Sequence, residues 1–115
     1  MQKHSISFLN AFTGIWTAVV TQSNIRIHFI IGSIVMFMSV YYEVSVDQVL
    51  HLILAIALVM TTEMINTSLE FLADAVTLEF DAHIKKAKDV AAGAVLISSL
   101  FAIIVGLFIF LPKII

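Results

Sequence analysis

Three long apolar stretches constrain the fold of this chain more than any other feature. They cover residues 25–42, 46–72 and 90–111. About 20 apolar residues in a helix cross the core of a bilayer, and 61% of this chain is hydrophobic while only 12% is charged. A soluble domain of 115 residues has too little interior to bury so much apolar surface. We therefore expect a single all-α membrane domain with transmembrane helices over these three ranges.

The first 24 residues have the pattern of an amphipathic helix. One side carries neutral polar residues, and the other carries apolar residues at helical spacing: Phe8, Leu9, Phe12, Ile15, Trp16, Val19 and Val20. Such a helix is typical of a membrane surface, and it equally suits a helix that packs on a polar site of its own protein. We expect residues 1–24 to form this surface helix.

The distribution of basic residues predicts the orientation in the membrane. If the three spans are real, one side carries five of them and the other carries only Lys113; the five are Lys3, Arg26, Lys85, Lys86 and Lys88. Cytoplasmic segments are the ones enriched in Lys and Arg. We expect the N-terminus inside the cell and the C-terminus outside, in the cytoplasmic (inner) membrane. The net charge of −2 provides no basic surface for nucleic acid.

Two local features predict where helices end. Pro112 is expected to end the third transmembrane helix, because proline lacks the N–H that a helix needs. Residues 75–87 are expected to form a short polar connection on the cytoplasmic side, since they include five ionisable residues: Glu79, Asp81, His83, Lys85 and Lys86.

The second apolar stretch carries four polar residues three or four positions apart, which places them on one helix face. They are Glu63, Asn66, Glu70 and Asp74. Ionisable groups inside a span are costly and indicate a functional site. Glu63 comes about 25 Å along a helix that begins at Val46, near the inner interface, and is a candidate general base. The alternative for Glu70 and Asp74 is that they are ordinary solvated acids on a helix that continues into the cytoplasm.

Lys88 and Asp89 lie just before the third apolar stretch, at the depth where the polar face of the second helix ends. Carboxylate oxygens suit Mg²⁺, and a lysine ammonium suits phosphate. These residues therefore predict one pocket at the cytoplasmic edge. The alternative for Lys88 is a side chain that extends to the lipid headgroups and has no chemical role.

The remaining candidates for chemistry are weak. The histidines share no metal-ligand spacing, and helix packing or an interfacial position explains each as well as catalysis does; they are His4, His28, His51 and His83. The sequence contains no Walker A loop and no glycine-rich loop of the protein-kinase type. Any nucleotide site here is expected to have another design.

The segment from Glu63 to Asp74 resembles the signature of the prokaryotic diacylglycerol kinase and undecaprenol kinase family. That signature is a Glu followed by Asn three positions on, Glu seven on and Asp eleven on. Residues 83–96, HIKKAKDVAAGAVL, are similar to the second conserved block of the family. The length, the three spans and the amphipathic N-terminal helix agree, so the resemblance covers nearly the whole chain.

The resemblance implies a homotrimeric bundle whose neighbouring subunits share active sites, and a reaction that moves the γ-phosphoryl of MgATP to a lipid hydroxyl. It implies that Glu63 is the general base, that Asn66 orients the reacting groups and that Glu70 binds Mg²⁺. Further residues that it implies at the nucleotide are Asp74, Lys86, Lys88, Asp89 and Gln22. Phosphoryl transfer needs mainly positioning and charge neutralisation, which suits this set.

Gln22 departs from the family pattern. The family usually has Glu at this position, where it is a second metal-binding carboxylate. An amide oxygen still ligates Mg²⁺, but its electrostatic attraction is weaker. We therefore expect looser metal binding, a distinct metal requirement or reduced activity.

The resemblance also bears on the lipid acceptor. The run Arg26-Ile27-His28, His83 and the pair Lys88-Asp89 are more similar to the Gram-positive branch, which phosphorylates undecaprenol. We therefore favour undecaprenol, with diacylglycerol as the alternative.

Two further functions are consistent with the sequence. Carboxylates in a helical bundle also build proton or ion pathways, although residues 90–111 contain no ionisable side chain. The second possibility is that the chain is a catalytically weakened, regulatory member of the family. Gln22 is the only residue in the sequence that supports this possibility.

Overall fold

The chain is described here by a computed structural model that covers residues 4–115, with side chains from residue 7 onward. Four helices make up this part of the chain, and it contains no strand. They are α1 (His4–Thr21), α2 (Ser23–Tyr41), α3 (Val46–Val76) and α4 (Ala82–Ile114). The prediction of an all-α membrane architecture is confirmed. Lys3, which was counted for the orientation, lies outside the described residues.

Helices α2, α3 and α4 are each long and apolar enough to cross a membrane. With 31 and 33 residues, α3 and α4 are about 46 and 50 Å long. The hydrocarbon core is only about 30 Å thick, so both helices extend beyond it. The apolar stretch 46–72 forms all of α3 except its last turn, and the stretch 90–111 lies within α4. Most of the charged residues of the two helices lie outside these stretches, at Asp74 in α3 and at Lys85, Lys86, Lys88, Asp89 and Lys113 in α4.

The turn between α2 and α3 is built by local hydrogen bonds. The N–H of Val44 donates to the carbonyl of Ser39, and the N–H of Glu43 donates to that of Val40. Glu43 has a φ of 53°, so the turn has the form of a Schellman motif with Glu at the position that usually holds Gly. Ser45 then caps α3 through a capping box with Gln48.

The connection between α3 and α4 is shorter than expected. It covers residues 77–81, not 75–87, because α3 continues to Val76 and α4 already begins at Ala82. One carboxylate oxygen of Asp81 accepts from the N–H groups of His83 and Ile84. This cap satisfies the first donors of α4 and lets the helix start among polar residues.

The prediction that Pro112 ends the last helix is wrong by two residues. Helix α4 continues through Pro112 to Ile114, and the N–H of Ile115 still donates to the carbonyl of Leu111. A proline this close to a C-terminus removes one hydrogen bond and leaves the last turn otherwise intact.

Helices α2, α3 and α4 pack in sequence order as antiparallel neighbours. The contact between α3 and α4 is the most extensive, followed by that between α2 and α3, while α1 lies against α2 and α3. A small buried cluster of Leu52, Ile109 and Phe110 joins α3 and α4 at the end near the α2–α3 turn. Gly32 allows α2 to approach α3 closely, since a Cβ there would lie 3.2 Å from Cγ2 of Ile56.

The capping box yields a prediction about stability. Ser45→Ala removes the acceptor for the N–H of Gln48 and is expected to lower the free energy of unfolding by about 1 kcal/mol. Thermal unfolding in detergent, followed by circular dichroism, measures the change. The control is Ser33→Ala, an exposed serine inside α2, for which the change should be within about 0.5 kcal/mol. Equal effects of the two variants would contradict the capping role.

Candidate functional site

The centre of the candidate site is a buried carboxylate between two helices. Glu63 on α3 is 3% exposed, and its Oε2 lies 2.9 Å from Nε2 of His28 on α2. The side chain of His28 is about one quarter exposed, so the pair extends from the interior of the bundle towards its surface. A buried carboxylate without a partner is strongly unfavourable, and His28 supplies that partner.

Glu63 occupies this position because it continues the inward face of α3. The buried residues Val59 and Thr67 lie one turn before it and one turn after it. Beside it, the hydroxyl oxygens of Thr62 on α3 and Ser98 on α4 lie 2.8 Å apart and form a hydrogen bond. The carboxylate is therefore held on a stretch of α3 that is attached to α2 on one side and to α4 on the other.

Asn66 lies on the same face, three residues after Glu63, and is half-buried. Its Oδ1 is a buried oxygen with no hydrogen-bond partner among the described residues. Buried polar atoms are normally paired. An unpaired acceptor beside a buried carboxylate is suited to a hydroxyl or a cation of a bound substrate.

The polar face of α3 becomes more exposed towards the cytoplasmic end predicted from the sequence. Glu70 is half-buried, and Asp74 is exposed. Oδ1 of Asp74 lies 3.3 Å from Nζ of Lys88 on α4, so these two predicted site residues are brought together across the helix pair. An exposed ion pair of this kind contributes little to stability, between about 0 and 1 kcal/mol.

The other two predicted residues of α4 are not brought into the same group of contacts. Asp89 is exposed, and its Oδ2 lies 2.6 Å from Nζ of Lys85 one turn earlier on the same helix. Lys86 is exposed, and none of the ion pairs in residues 7–115 includes it. Within this chain, both residues lie on the surface of the extended end of α4.

Gln22 lies at the break between α1 and α2 and is half-buried. Its backbone is extended there, with φ −119° and ψ 114°. Nη1 of Arg26 reaches back across the break and donates to the carbonyl of Val19 at 2.7 Å, which satisfies an unpaired carbonyl at the end of α1. The hydrogen bond between Arg26 and Val19 thus bridges the turn between α1 and α2 that contains Gln22.

The described residues contain no group of three or more His, Cys, Asp or Glu side chains that could enclose a metal ion. Mg²⁺ commonly binds through one or two carboxylates, together with substrate phosphates and water. Glu70 and the unpaired oxygen of Asn66, one turn apart on α3, fit that second mode. These two oxygens could contribute to holding a metal ion that arrives with a nucleotide.

An apolar cavity of about 430 Å³ lies between α2, α3 and α4 and reaches the site. His28 lies at one end of it, and Phe110 and Ile114 lie towards the other. Only two of the residues that line it, His28 and Ser99, have polar side chains. The cavity therefore offers an apolar path from the far end of the bundle to the histidine that contacts Glu63.

His28 belongs to this site, although the sequence alone does not predict it. In the sequence, His28 has no metal-ligand spacing, so helix packing or an interfacial position explains it as well as catalysis does. The signal that could have found it is its setting: after His28, α2 contains no ionisable side chain before Tyr41. An ionisable group within a span indicates a function, but only the packing of α2 on α3 shows that the partner of His28 is Glu63.

Comparison with known proteins identifies relatives over nearly the whole chain. The family model described as Prokaryotic diacylglycerol kinase matches residues 9–110. The undecaprenol kinase of Bacillus subtilis (strain 168) is 35% identical over 107 residues, an alignment that covers 93% of this chain and 87% of the relative. A diacylglycerol kinase of Synechocystis sp. is 39% identical over 108 residues. That alignment covers 93% of this chain but 62% of the relative, so this chain spans less than two thirds of the Synechocystis protein.

Proposed function

This chain belongs to the prokaryotic diacylglycerol kinase family and is a lipid kinase of the membrane, and we propose that the alcohol it phosphorylates is undecaprenol. A kinase of this family takes a nucleotide and a lipid alcohol as its substrates. Its two similar relatives are named for different acceptors, undecaprenol and diacylglycerol. The chemistry of the cavity favours undecaprenol over diacylglycerol.

The single observation that carries the proposal is the apolar cavity that ends at His28. Undecaprenol is a hydrocarbon chain with one terminal hydroxyl, so its binding site requires an apolar lining and one polar end. The cavity has this distribution, with His28 at its end and Ser99 as its only other polar side chain. The two ester groups of diacylglycerol would lose hydrogen bonds to water in such a lining, which is unfavourable.

We propose that Glu63 is the general base. Glu63 directly contacts His28, which lines one end of the cavity. A lipid hydroxyl at that end would therefore lie near the Glu63 carboxylate. Glu63 would accept the proton of the lipid hydroxyl while the hydroxyl oxygen attacks the γ-phosphorus of ATP. Asn66, with its unpaired oxygen, would orient the hydroxyl or the metal ion.

We propose that the nucleotide binds where α3 and α4 continue beyond the membrane core on the cytoplasmic side. Glu70 and Gln22 would bind Mg²⁺, which neutralises charge on the phosphates when it is present. Lys88, held by Asp74 at 3.3 Å, would contact the phosphates. Asp89 and Lys86 lie on the exposed surface of α4 in the single chain, where a neighbouring subunit would bring them to a shared site.

We propose a homotrimer in the cytoplasmic membrane, with the N-terminus inside. A large share of the big apolar side chains of α4 is exposed in the single chain, including Phe101, Ile104 and Phe108, and this surface suits lipid or neighbouring subunits. Arg26, Lys85, Lys86 and Lys88 lie towards one end of the bundle and Lys113 towards the other, which supports the proposed orientation.

The acceptor is tested by measuring the transfer of labelled γ-phosphate in mixed micelles that contain undecaprenol or diacylglycerol. We expect kcat/KM to be at least about tenfold higher for undecaprenol, which corresponds to about 1.4 kcal/mol. An equal or higher value for diacylglycerol would overturn the proposed acceptor while leaving the lipid kinase activity in place.

The general base is tested with Glu63→Gln, which keeps the shape of the side chain but accepts no proton. The expected loss of kcat is about 10²–10⁴-fold, with a folded protein by circular dichroism and size exclusion. The matched control is Glu79→Gln, an exposed acid in the connection between α3 and α4, which should keep normal turnover. Normal turnover of Glu63→Gln would exclude the proposed role.

The metal site is tested with Gln22→Glu, which restores the carboxylate usual in the family. We expect the Mg²⁺ concentration at half-maximal activity to fall about three- to tenfold, equivalent to about 0.6–1.4 kcal/mol. Gln48→Glu at the start of α3 adds the same charge away from the site and should change nothing. An unchanged Mg²⁺ dependence of Gln22→Glu would show that this position does not bind the metal ion.

A further inference from the structure

His28 and Glu63 form the only ion pair in residues 7–115 that includes a buried carboxylate. Oε2 of Glu63 lies 2.9 Å from Nε2 of His28, and the other two pairs, Lys85–Asp89 and Lys88–Asp74, lie on exposed ends of α3 and α4. Burial makes the contact of Glu63 both stronger and more necessary, since the local dielectric constant is low and water is excluded. The position of the Glu63 carboxylate therefore depends on its contact with one histidine.

The backbone keeps this histidine in place. Four residues after His28, Gly32 lets α2 come close to Ile56 of α3, where a Cβ would be 3.2 Å from the Ile56 side chain. Three residues before His28, Ile25 is 1% exposed and anchors the start of α2. With both neighbouring turns packed, the imidazole has little freedom to move away from Glu63.

We propose that His28 is a positioning residue for the phosphoryl transfer. Its Nε2 holds Oε2 of Glu63 at 2.9 Å, which fixes the orientation of the carboxylate and leaves Oε1 for the acceptor hydroxyl. His28 also lines the end of the apolar cavity, so the same side chain that orients the base marks where the cavity ends. This inference depends on the proposed role of Glu63 as general base.

The reaction balances with His28 in this role. The oxygen of the acceptor hydroxyl forms a bond to the γ-phosphorus, the bond between that phosphorus and the β–γ bridging oxygen breaks, and ADP leaves. The proton of the hydroxyl moves to Glu63 and from there to water. His28 holds the carboxylate throughout and takes no part in bond formation to phosphorus.

The kinetic test compares two substitutions of His28 with one of another histidine. His28→Leu removes the contact and is expected to lower kcat about 10- to 100-fold, with the KM of ATP within about twofold. His28→Gln keeps an N–H donor of similar reach and is expected to retain kcat within about threefold of the unchanged protein. The control is His51→Leu at the opposite end of α3, where the exposed ring forms a hydrogen bond with the carbonyl of Asp47, and its kcat should not change.

A purely structural role of His28 would give a different pattern. Both His28 variants would then lower thermal stability while the folded fraction kept normal turnover, and this result would overturn the proposal. Equal losses of kcat in His28→Leu and His28→Gln would also overturn it, because the amide donor would not have replaced the imidazole.

A spectroscopic test separates this inference from the role of Glu63. In protein labelled with ¹⁵N-histidine, the ring signal of His28 is assigned by its loss in His28→Leu. We expect Glu63→Gln to shift this signal, whereas Glu79→Gln should leave it unchanged. If Glu63→Gln keeps turnover but still shifts the signal, the proposed base is wrong and the contact is real. If the signal does not move, the positioning role of His28 is wrong, whatever the activity.

Discussion

The pairing of α3 with α4 is the interaction on which the rest of the structure depends. In a bilayer every backbone hydrogen bond must be made within the chain, so these segments are continuous helices. At 31 and 33 residues they are longer than the hydrocarbon core is thick. Their antiparallel contact, from Leu52 and Phe110 at one end to Asp74 and Lys88 at the other, therefore brings charged residues together beyond the membrane core.

The site is arranged by depth along this helix pair. Glu63 is buried, Asn66 and Glu70 are half-buried, and Asp74 is exposed. A general base benefits from a water-poor environment, whereas the triphosphate of a nucleotide is highly charged and arrives from water. The gradient along α3 provides both environments on one helix face, and α2 adds His28 only at the buried end. In the proposed function, the lipid hydroxyl would bind at the buried end of this face and the nucleotide at its exposed end.

The sequence predicted the classes of structure well and the boundaries less well. The three apolar stretches correspond to α2, α3 and α4, because hydrophobic length in a membrane protein leaves few alternatives. The polar connection was predicted too long, since Asp81 caps a helix that begins at Ala82. Pro112 was predicted to end α4, which instead reaches Ile114. In both cases the prediction followed polarity or residue type, while the helix end was decided by which backbone groups find partners.

The residues by themselves determined the membrane architecture, the family and the polar face of α3, because these depend on periodicity and on motif spacing. Only the tertiary structure decided the partners of that face. Sequence spacing places Glu63 and His28 35 positions apart, and nothing in it shows that α2 brings the histidine to 2.9 Å from the carboxylate. Likewise, Lys88 and Asp89 are adjacent in sequence, yet one reaches Asp74 on α3 and the other Lys85 on its own helix. Neighbouring residues on a helix point about 100° apart, so their contacts depend on which surface each one faces in the packed bundle.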